Sequence, residues 1–400
     1  MPAASKDGSN SVRVLTVNTG SSSLKAAVYL MGGEREARVL SAQAERIGLP
    51  DSRFRVVDAQ DRVLADGGAA LPDHDAALRA LFAELERRDQ APEIVGHRIV
   101  HGGAAYSEPD LVTPALVAAL EALVPIAPDH LPQAIQAIRT VGRAFPSLPQ
   151  AACFDTAFHR RMPRVARQYA LPRRFEESGV VRYGFHGLSY EYIVHALRAT
   201  APAEAAGRAV IAHLGNGASM AAVSKGVSRD TTMGFTPAGG LVMGTRPGDL
   251  DPGVLIYLLQ EQHMAPAALA AMVNQEAGLL GVSGTSGDMR DLLEREATDP
   301  HAAEAVALFC YQAKKFLGAL AAGLGGIGTL VFTGGIGEHA APVRARICAG
   351  LEFLGIRLNE ARNAAHAPVI SEDGSPVIVR VMKTDEDLMI ARHTRRLFGH

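Results

Sequence analysis

Asn18-Thr-Gly-Ser-Ser-Ser23 breaks an alternating apolar run near the start of the chain, which resumes as Leu24-Lys-Ala-Ala-Val-Tyr-Leu30. Period-two alternation on both sides of a short polar stretch predicts a strand, a tight turn and a returning strand. The turn residues can present backbone N–H groups and hydroxyls to an anion, and Lys25 adds a positive charge on the returning strand. Asn, Gly and Ser are also ordinary turn formers, so the hairpin gains weight from its recurrence. Ala209-Val-Ile-Ala-His-Leu214 runs into Gly215-Asn-Gly-Ala-Ser219 and returns through Met220-Ala-Ala-Val223. Two such cradles predict two related halves that hold one polyphosphate, with the boundary just after Asp155.

A chain of 400 residues exceeds the size at which one core usually keeps growing, which also favours two domains. With 48% apolar and 20% charged residues and a net charge of -2, nothing argues for nucleic acid or an anionic membrane as partner. Small polar or anionic metabolites are expected instead. Cys153, Cys310 and Cys348 lie far apart without metal-ligand spacing, as in a reduced cytoplasmic protein. The first dozen residues, Met1 to Val12, read as a short frayed tail without the apolar core of a signal peptide. Phe316 to Phe332 is interrupted by glycines and resolves into helix end, turn and strand, so no membrane span is expected.

Strand-like and helical patterns alternate along the chain. A strand and turn are expected at Phe54–Ala65, a helix at His74–Arg88, a strand at Ile94–Val100, helices around Pro114–Leu123 and Pro132–Val141, and a buried strand at Gln150–Phe154. After a long Gly-, Pro- and Thr-rich loop, Asp230 to Gly253, helices are expected at Val254–Gln262, Ala265–Glu276 and His301–Leu324. A strand at Thr329–Thr333 then enters Gly334-Gly-Ile-Gly-Glu338, and a last strand, Val377–Met382, precedes a helix opened by acidic residues. The alternation predicts an α/β protein. A loop as long as 230–253 inside a compact domain is usually functional, and the acidic-to-basic order of the final helix matches the helix dipole.

Several motifs are ruled out by their context. Ser22-Ser-Leu-Lys25 matches S-x-x-K of the β-lactam-active serine enzymes but lacks the S-D-N and K-T-G partners. Gly323-Leu-Gly-Gly-Ile-Gly328 is a formal G-x-G-x-x-G in the reverse setting, after a helix and before a strand, and reads as a helix stop. No G-x-x-x-x-G-K-[ST] occurs, so a bound ATP would sit on the hairpins. Arg98, Arg246 and Arg290 lie in or beside glycine-containing polar loops, where a planar cation can meet the charge that spreads over a transferring phosphoryl group. The alternative for each is a surface arginine. His97 and His101 are spaced i, i+4 on a strand rather than a helix, and structural roles are expected. His186, in Tyr183-Gly-Phe-His-Gly187, is either a donor to a reacting oxygen or a turn residue. Asp155 and Glu386 suit magnesium, which takes hard oxygen ligands, while helix capping explains the acidic residues at 385–386 equally well.

Taken together, Asn18-Thr-Gly-Ser-Ser-Ser-Leu-Lys25, Gly96-His-Arg-Ile-Val-His-Gly-Gly103, Phe154-Asp-Thr-Ala-Phe-His159, Tyr183-Gly-Phe-His-Gly187, His213-Leu-Gly-Asn-Gly217, Asp230 to Pro252, Phe332 to His339 and Thr384 to Leu388 resemble the acetate kinase family, of the acetate and sugar kinase, Hsp70 and actin superfamily. The resemblance runs from Val14 to the final helix. It implies two ribonuclease-H-like domains of the actin-like ATPase kind with an active-site cleft between them, the first comprising 1–155 plus 384–400 and the second, nucleotide-binding, comprising 156–383. It further implies a homodimer that uses ATP and magnesium, with manganese as the alternative ion.

By this likeness Asn18 and Glu386 serve the metal, and Lys25, His213, Leu214, Gly215, Asn216, Gly217, Asp288, Met289, Arg290, Gly335, Ile336, Gly337, Glu338 and His339 contact the nucleotide. Arg98 would hold the substrate carboxylate or its phosphate, Arg246 and His186 would stabilise the transition state, and Asp155 would be the catalytic acid. Val100, Phe185 and Pro237 would line a slot for the methyl group. The reaction expected is reversible in-line transfer of the ATP γ-phosphoryl group to acetate, giving acetyl phosphate and ADP. A carboxylate with a reference pKa of roughly 4 needs no base, so Asp155 is expected to orient magnesium or an arginine more than to move a proton. Asp129 and Leu131 depart from the family pattern near the expected acyl pocket, as does His339 at the nucleotide. The rival readings are a propionate or other short-chain fatty acid kinase and, in a different class, an ATP-driven conformational protein.

Overall fold

A computed structural model describes residues 11–33 and 35–399. The tail expected at Met1–Val12 lies, up to residue 10, outside the described residues. The chain forms two compact units: one ends at Ala157 and takes up the chain again at Asp385, and the other is Phe158–Thr384.

In the first unit the opening apolar run becomes β1 (Val12–Thr19), and the polar stretch turns it into β2 (Ser23–Gly32), with Asn18 opposite Lys25. Gly20 N donates to Ser23 O (2.8 Å) and closes the turn. The antiparallel run continues through β3 (Arg35–Glu45), β4 (Arg53–Asp58) and β5 (Val63–Gly68). On its other side β1 pairs in parallel with β6 (Ile94–Ile99), which pairs with β8 (Gln150–Phe154), and the two-residue β7 (Asp110–Leu111) closes the edge. The sheet order is β5-β4-β3-β2-β1-β6-β8-β7.

Both faces of this sheet are covered. Leu15, Val17 and Leu24 pack with Leu78, Leu81 and Leu85 of the helix His74–Arg87. Each such buried leucine stabilises by roughly 1.5–3 kcal/mol. On the opposite face Val12, Val14, Met31 and Ile94 meet Ala391 of the helix Glu386–Leu397. That helix crosses β1, β2, β6 and β8. Asp385 caps it by accepting from Leu388 N (2.9 Å), and its acidic first turn and basic last turn follow the dipole.

The second unit repeats the central motif. β9 (Arg208–Leu214), β10 (Ala218–Ser224) and β11 (Val227–Thr231) form an antiparallel meander, and β12 (Thr329–Thr333) joins β9 in parallel, followed by β13 (Ile378–Val381). The order β11-β10-β9-β12-β13 is the order β3-β2-β1-β6-β8 of the first sheet. The α/β expectation holds, and the repeated order is that of ribonuclease-H-like sheets. The helix Pro300–Gly323 stops at the glycines read as a helix stop, where Gly325 and Gly326 take φ of 70° and 101°. The segment expected as one helix at Ala265–Glu276 is helical over Pro266–Ala271 and then widens into a looser turn, Met272–Glu276.

Gly96 in β6 lies under the last helix, and a Cβ there would come 2.2 Å from Thr394 Oγ1 and 2.6 Å from Ile390 Cγ2. Gly96→Ala should cost about 1–3 kcal/mol, read as a lower urea midpoint; an unchanged midpoint would contradict this packing.

Burial drives His97 and His159 down from 6.5 to about 4. His159 Nε2 donates to Phe185 O (3.0 Å) and its Nδ1 accepts from Ser228 Oγ (2.8 Å), a pattern only the neutral ring satisfies. The unfolded chain takes up a proton near pH 6.5 that the fold refuses until about pH 4, so this stability is complete above 6.5 and lost as pH falls through that window. Relative to His159→Asn, the wild type should lose about 3 kcal/mol between pH 7 and 4. Parallel urea curves with a pH-independent gap would refute it.

Candidate active site

In the first unit the chemistry gathers at the C-terminal end of β6. Arg98 sits there half-buried, and β8 ends by delivering Asp155, whose N–H donates to Ile99 O (2.9 Å). Arg98 Nη2 donates to Asp155 Oδ2 (2.6 Å), Nε lies 3.1 Å from both carboxylate oxygens, and Nη1 donates to Asn18 Oδ1 (3.2 Å). Glu386 Oε2 stands 3.7 Å from Arg98 Nε. Sequence-distant Asn18, Arg98, Asp155 and Glu386 thus surround one guanidinium.

Burial pushes the Asp155 carboxyl up to about 6, against the pull of Arg98, which leaves it ionised at neutral pH. Burial also opposes the charge on Arg98, yet Asp155 and Glu386 together hold it firmly protonated. Behind this cluster Asp387 is half-buried and accepts from Thr16 Oγ1 (3.0 Å); burial, with Asp385 and Glu386 nearby, raises it to about 6. Tyr29 OH donates to Asp385 (3.1 Å). Sequence reading missed Thr16 and Tyr29, which look like strand residues, and Asp387, which was read only as part of the acidic opening of the helix.

Among the described residues no three His, Cys, Asp or Glu side chains are arranged to hold a metal unaided. Magnesium commonly takes one or two protein oxygens and fills the rest with water and phosphate. The carboxylates of Asp155, Glu386 and Asp387 outnumber the cations Arg98 and Lys25 that act on them. This surplus and the hard oxygens of Asn18 and Glu386 fit such an ion.

His97 and His101 have structural partners: His97 Nε2 donates to Gln150 Oε1 (2.7 Å), and His101 Nδ1 accepts from Gly103 N (2.8 Å). Leu131 is a core residue at the start of the helix Leu131–Ala144, and Asp129 is half-buried just before it.

In the second unit the β9–β10 turn, Gly215–Gly217, is the centre. A Cβ at Gly217 would come 2.8 Å from Arg246 Nη2 and 3.2 Å from His186 Nε2, so both side chains converge on bare backbone. His186 precedes the helix Gly187–Thr200 with φ of 56°, a left-handed conformation that aims its ring back at the turn. Its ring stacks on that of His213, with centroids 4.3 Å apart. Arg246 Nη1 donates to Pro237 O (2.8 Å). The long segment that carries Arg246 is ordered by backbone bonds from Gly244 N to Asn216 O, Ala277 N to Thr245 O and Leu279 N to Met243 O. Phe185 and Pro237 are buried beside this cluster, and Val100 is buried beyond the end of β6 in the first unit.

A pocket of about 500 Å³ opens on the same turn, and Gly215, Asn216, Asp288, Met289, Arg290, Gly335, Ile336 and His339 all line it. Lys25, His213, Leu214, Gly217, Gly337 and Glu338 are outside its lining. Glu338 turns inward instead: its Oε1 accepts from Gly334 N (3.0 Å), occupying the first amide of the turn. Fully buried Arg344 fixes the same turn by donating to the carbonyls of Gly337 and Glu338 (both 2.9 Å) and to Asn363 Oδ1 (2.8 Å). Gly287, Leu293, Ala340 and Pro342 complete the wall, and Leu293, Ala340 and Pro342 carried no sequence signal.

Each unit by itself carries groups of the kind that stabilise phosphoryl charge: the first an arginine bound by carboxylates, the second an arginine and a histidine meeting over backbone that also borders a pocket. Comparisons with known proteins agree with this chemistry. Residues 13–392 match the Acetokinase family. An acetate kinase of Rhodopseudomonas palustris is 48% identical over 394 residues, covering 96% of this chain and 98% of that protein. One of Methylocella silvestris is 46% identical over 400 residues, covering 96% and 97%. The crystal structure of Porphyromonas gingivalis acetate kinase matches with a TM-score of 0.86 at 35% identity, over 97% of this chain and 100% of that one. A propionate kinase from Francisella tularensis matches with a TM-score of 0.90 at 32% identity, over 96% and 100%. The chain belongs to the acetokinase family.

Proposed function

We propose that the protein catalyses the reversible transfer of the γ-phosphoryl group of ATP to acetate, giving acetyl phosphate and ADP. The observation that carries this reading is the convergence of Arg246 and His186 Nε2 on Gly217, at the rim of the pocket assigned to ATP. An acetate oxygen attacks the γ-phosphorus in line, the bond to the β,γ-bridging oxygen breaks, and its electron pair leaves with ADP. Arg246 and the His186 N–H stabilise the charge on the equatorial oxygens. Arg98 binds the acceptor carboxylate or its phosphate, and Val100, Phe185 and Pro237, all buried, keep the acyl-slot roles that the resemblance gives them.

Asn18 and Glu386 would hold the divalent ion, which we take to be magnesium with manganese as substitute, and when bound it neutralises phosphate charge. Asp155 acts by fixing the guanidinium plane of Arg98; the attacking carboxylate has no proton to remove. Lys25 and the remaining residues of the second hairpin and of the 335–339 turn are assigned to the nucleotide.

We further propose a cytoplasmic homodimer. All three cysteines are free and buried, and among the described residues no helix is long and apolar enough to cross a membrane. The helix Pro252–Gln260 leaves Val254, Ile256 and Tyr257 44%, 52% and 53% exposed, which suits a surface that a second copy covers.

A hydroxamate trap run with ATP and acetate, propionate or butyrate tests the reading. Acyl phosphate should form fastest with acetate, within the range of about 10–200-fold that one methylene can discriminate. Preference for propionate would move the assignment to that acid, and ATP hydrolysis without acyl phosphate from any acid would end it. Asp155→Asn keeps the size but loses the charge that holds Arg98. It should raise the acetate KM and lower kcat at least tenfold, with the ATP KM little changed; near-normal turnover would remove Asp155 from the machinery.

A further inference from the structure

Ser219, on β10 two residues beyond Gly217, and Tyr190, in the first turn of the helix Gly187–Thr200, lie behind His186 and are both fully buried. His186 Nδ1 is 2.8 Å from Ser219 Oγ, and Ser219 Oγ is also hydrogen-bonded to Tyr190 OH. The two hydroxyls carry one proton each, and a buried O–H left without an acceptor costs about 1–3 kcal/mol. Among the described residues the only hydrogen-bond partner of Tyr190 OH is Ser219 Oγ, so the tyrosine must donate to the serine. The serine proton then has one acceptor, His186 Nδ1.

We propose that Tyr190 and Ser219 are positioning residues that fix His186 as the Nε2–H tautomer, presenting an N–H rather than a lone pair toward Gly217 and the phosphoryl group. The reverse tautomer, or a ring protonated at both nitrogens, would make Nδ1 a donor to Ser219 and strand a buried hydroxyl proton. Burial also keeps the Tyr190 phenol protonated well beyond its ordinary range, so the chain of donors does not invert at working pH. The neighbouring His213 follows the same rule, since its Nδ1 lies 2.8 Å from Ser189 Oγ, another fully buried hydroxyl. Fixing the tautomer in advance removes a reorganisation that would otherwise fall at the moment of transfer.

The catalytic half of this inference rests on His186 facing the transferring group, whereas the tautomer is measurable without turnover. Protein labelled with ¹⁵N-histidine, with His186 assigned by comparison with His186→Asn, should give at pH 8 a pyrrole-type shift at Nε2 and a pyridine-type shift at Nδ1. Ser219→Ala and Tyr190→Phe should each move His186 to a tautomer mixture and lower kcat about ten- to a hundredfold, with both KM values within about twofold, and Ser219→Thr should restore the wild-type pattern. An Nδ1–H signal in the wild type, or an unmoved tautomer in both variants, would overturn the proposal, and the wild-type spectrum decides even if a variant does not fold. A wild type with the Nε2–H signature but no acyl phosphate product would overturn the catalytic half alone.

Discussion

The half-buried guanidinium of Arg98 organises the polar cluster of the first unit. It stands at the C-terminal end of a parallel strand and takes Asp155 from the next strand, Asn18 from the hairpin and Glu386 from the last helix. Each element by itself would place one polar group at a sheet edge. A planar cation with fixed donor directions makes them a single arrangement, because leaving any one carboxylate buried without it would be costly. The surplus of negative charge that remains gives the cluster a reason to accept another cation.

In the second unit the side chains and backbone around the turn are restrained from behind. His186 and His213 are held by serine hydroxyls, Arg246 by the Pro237 carbonyl, and the Gly334–Glu338 turn by the Glu338 carboxylate and the Arg344 guanidinium. None of these holding groups faces the pocket. They hold these side chains from behind, so that His186 Nε2 and Arg246 Nη2 both come to the bare Gly217 backbone.

Much of this was legible in the sequence, unevenly and for physical reasons. The hairpins at Asn18 and Gly215 announced themselves because alternation on either side of a polar turn is a local property. The pocket residues at 288–290, 335, 336 and 339 were recognisable through the family resemblance rather than through periodicity. The bond between Arg98 and Asp155 spans 57 positions and has no local trace. Ser219 and Tyr190 were invisible, since a serine in a strand and a tyrosine in a helix look like filler until a histidine is found against them. Glu338 reads as part of a glycine cluster open to a ligand, and only the fold reveals that its carboxylate occupies the first amide of its own turn.

The helix Glu386–Leu397 covers β1, β2, β6 and β8 on one face of the first sheet, yet it is made more than two hundred residues after β8. On the ribosome, β1 to β8 are complete while more than half of the sequence is still to come. At about 5–20 residues per second, Val12, Val14, Met31 and Ile94 wait tens of seconds for the surface that buries them. During that time the first unit presents an uncovered apolar sheet face, the kind of surface that chaperones bind and that aggregates grow from. The helix whose first residue, Glu386, stands beside Arg98 therefore also marks the moment at which the first unit can finish folding.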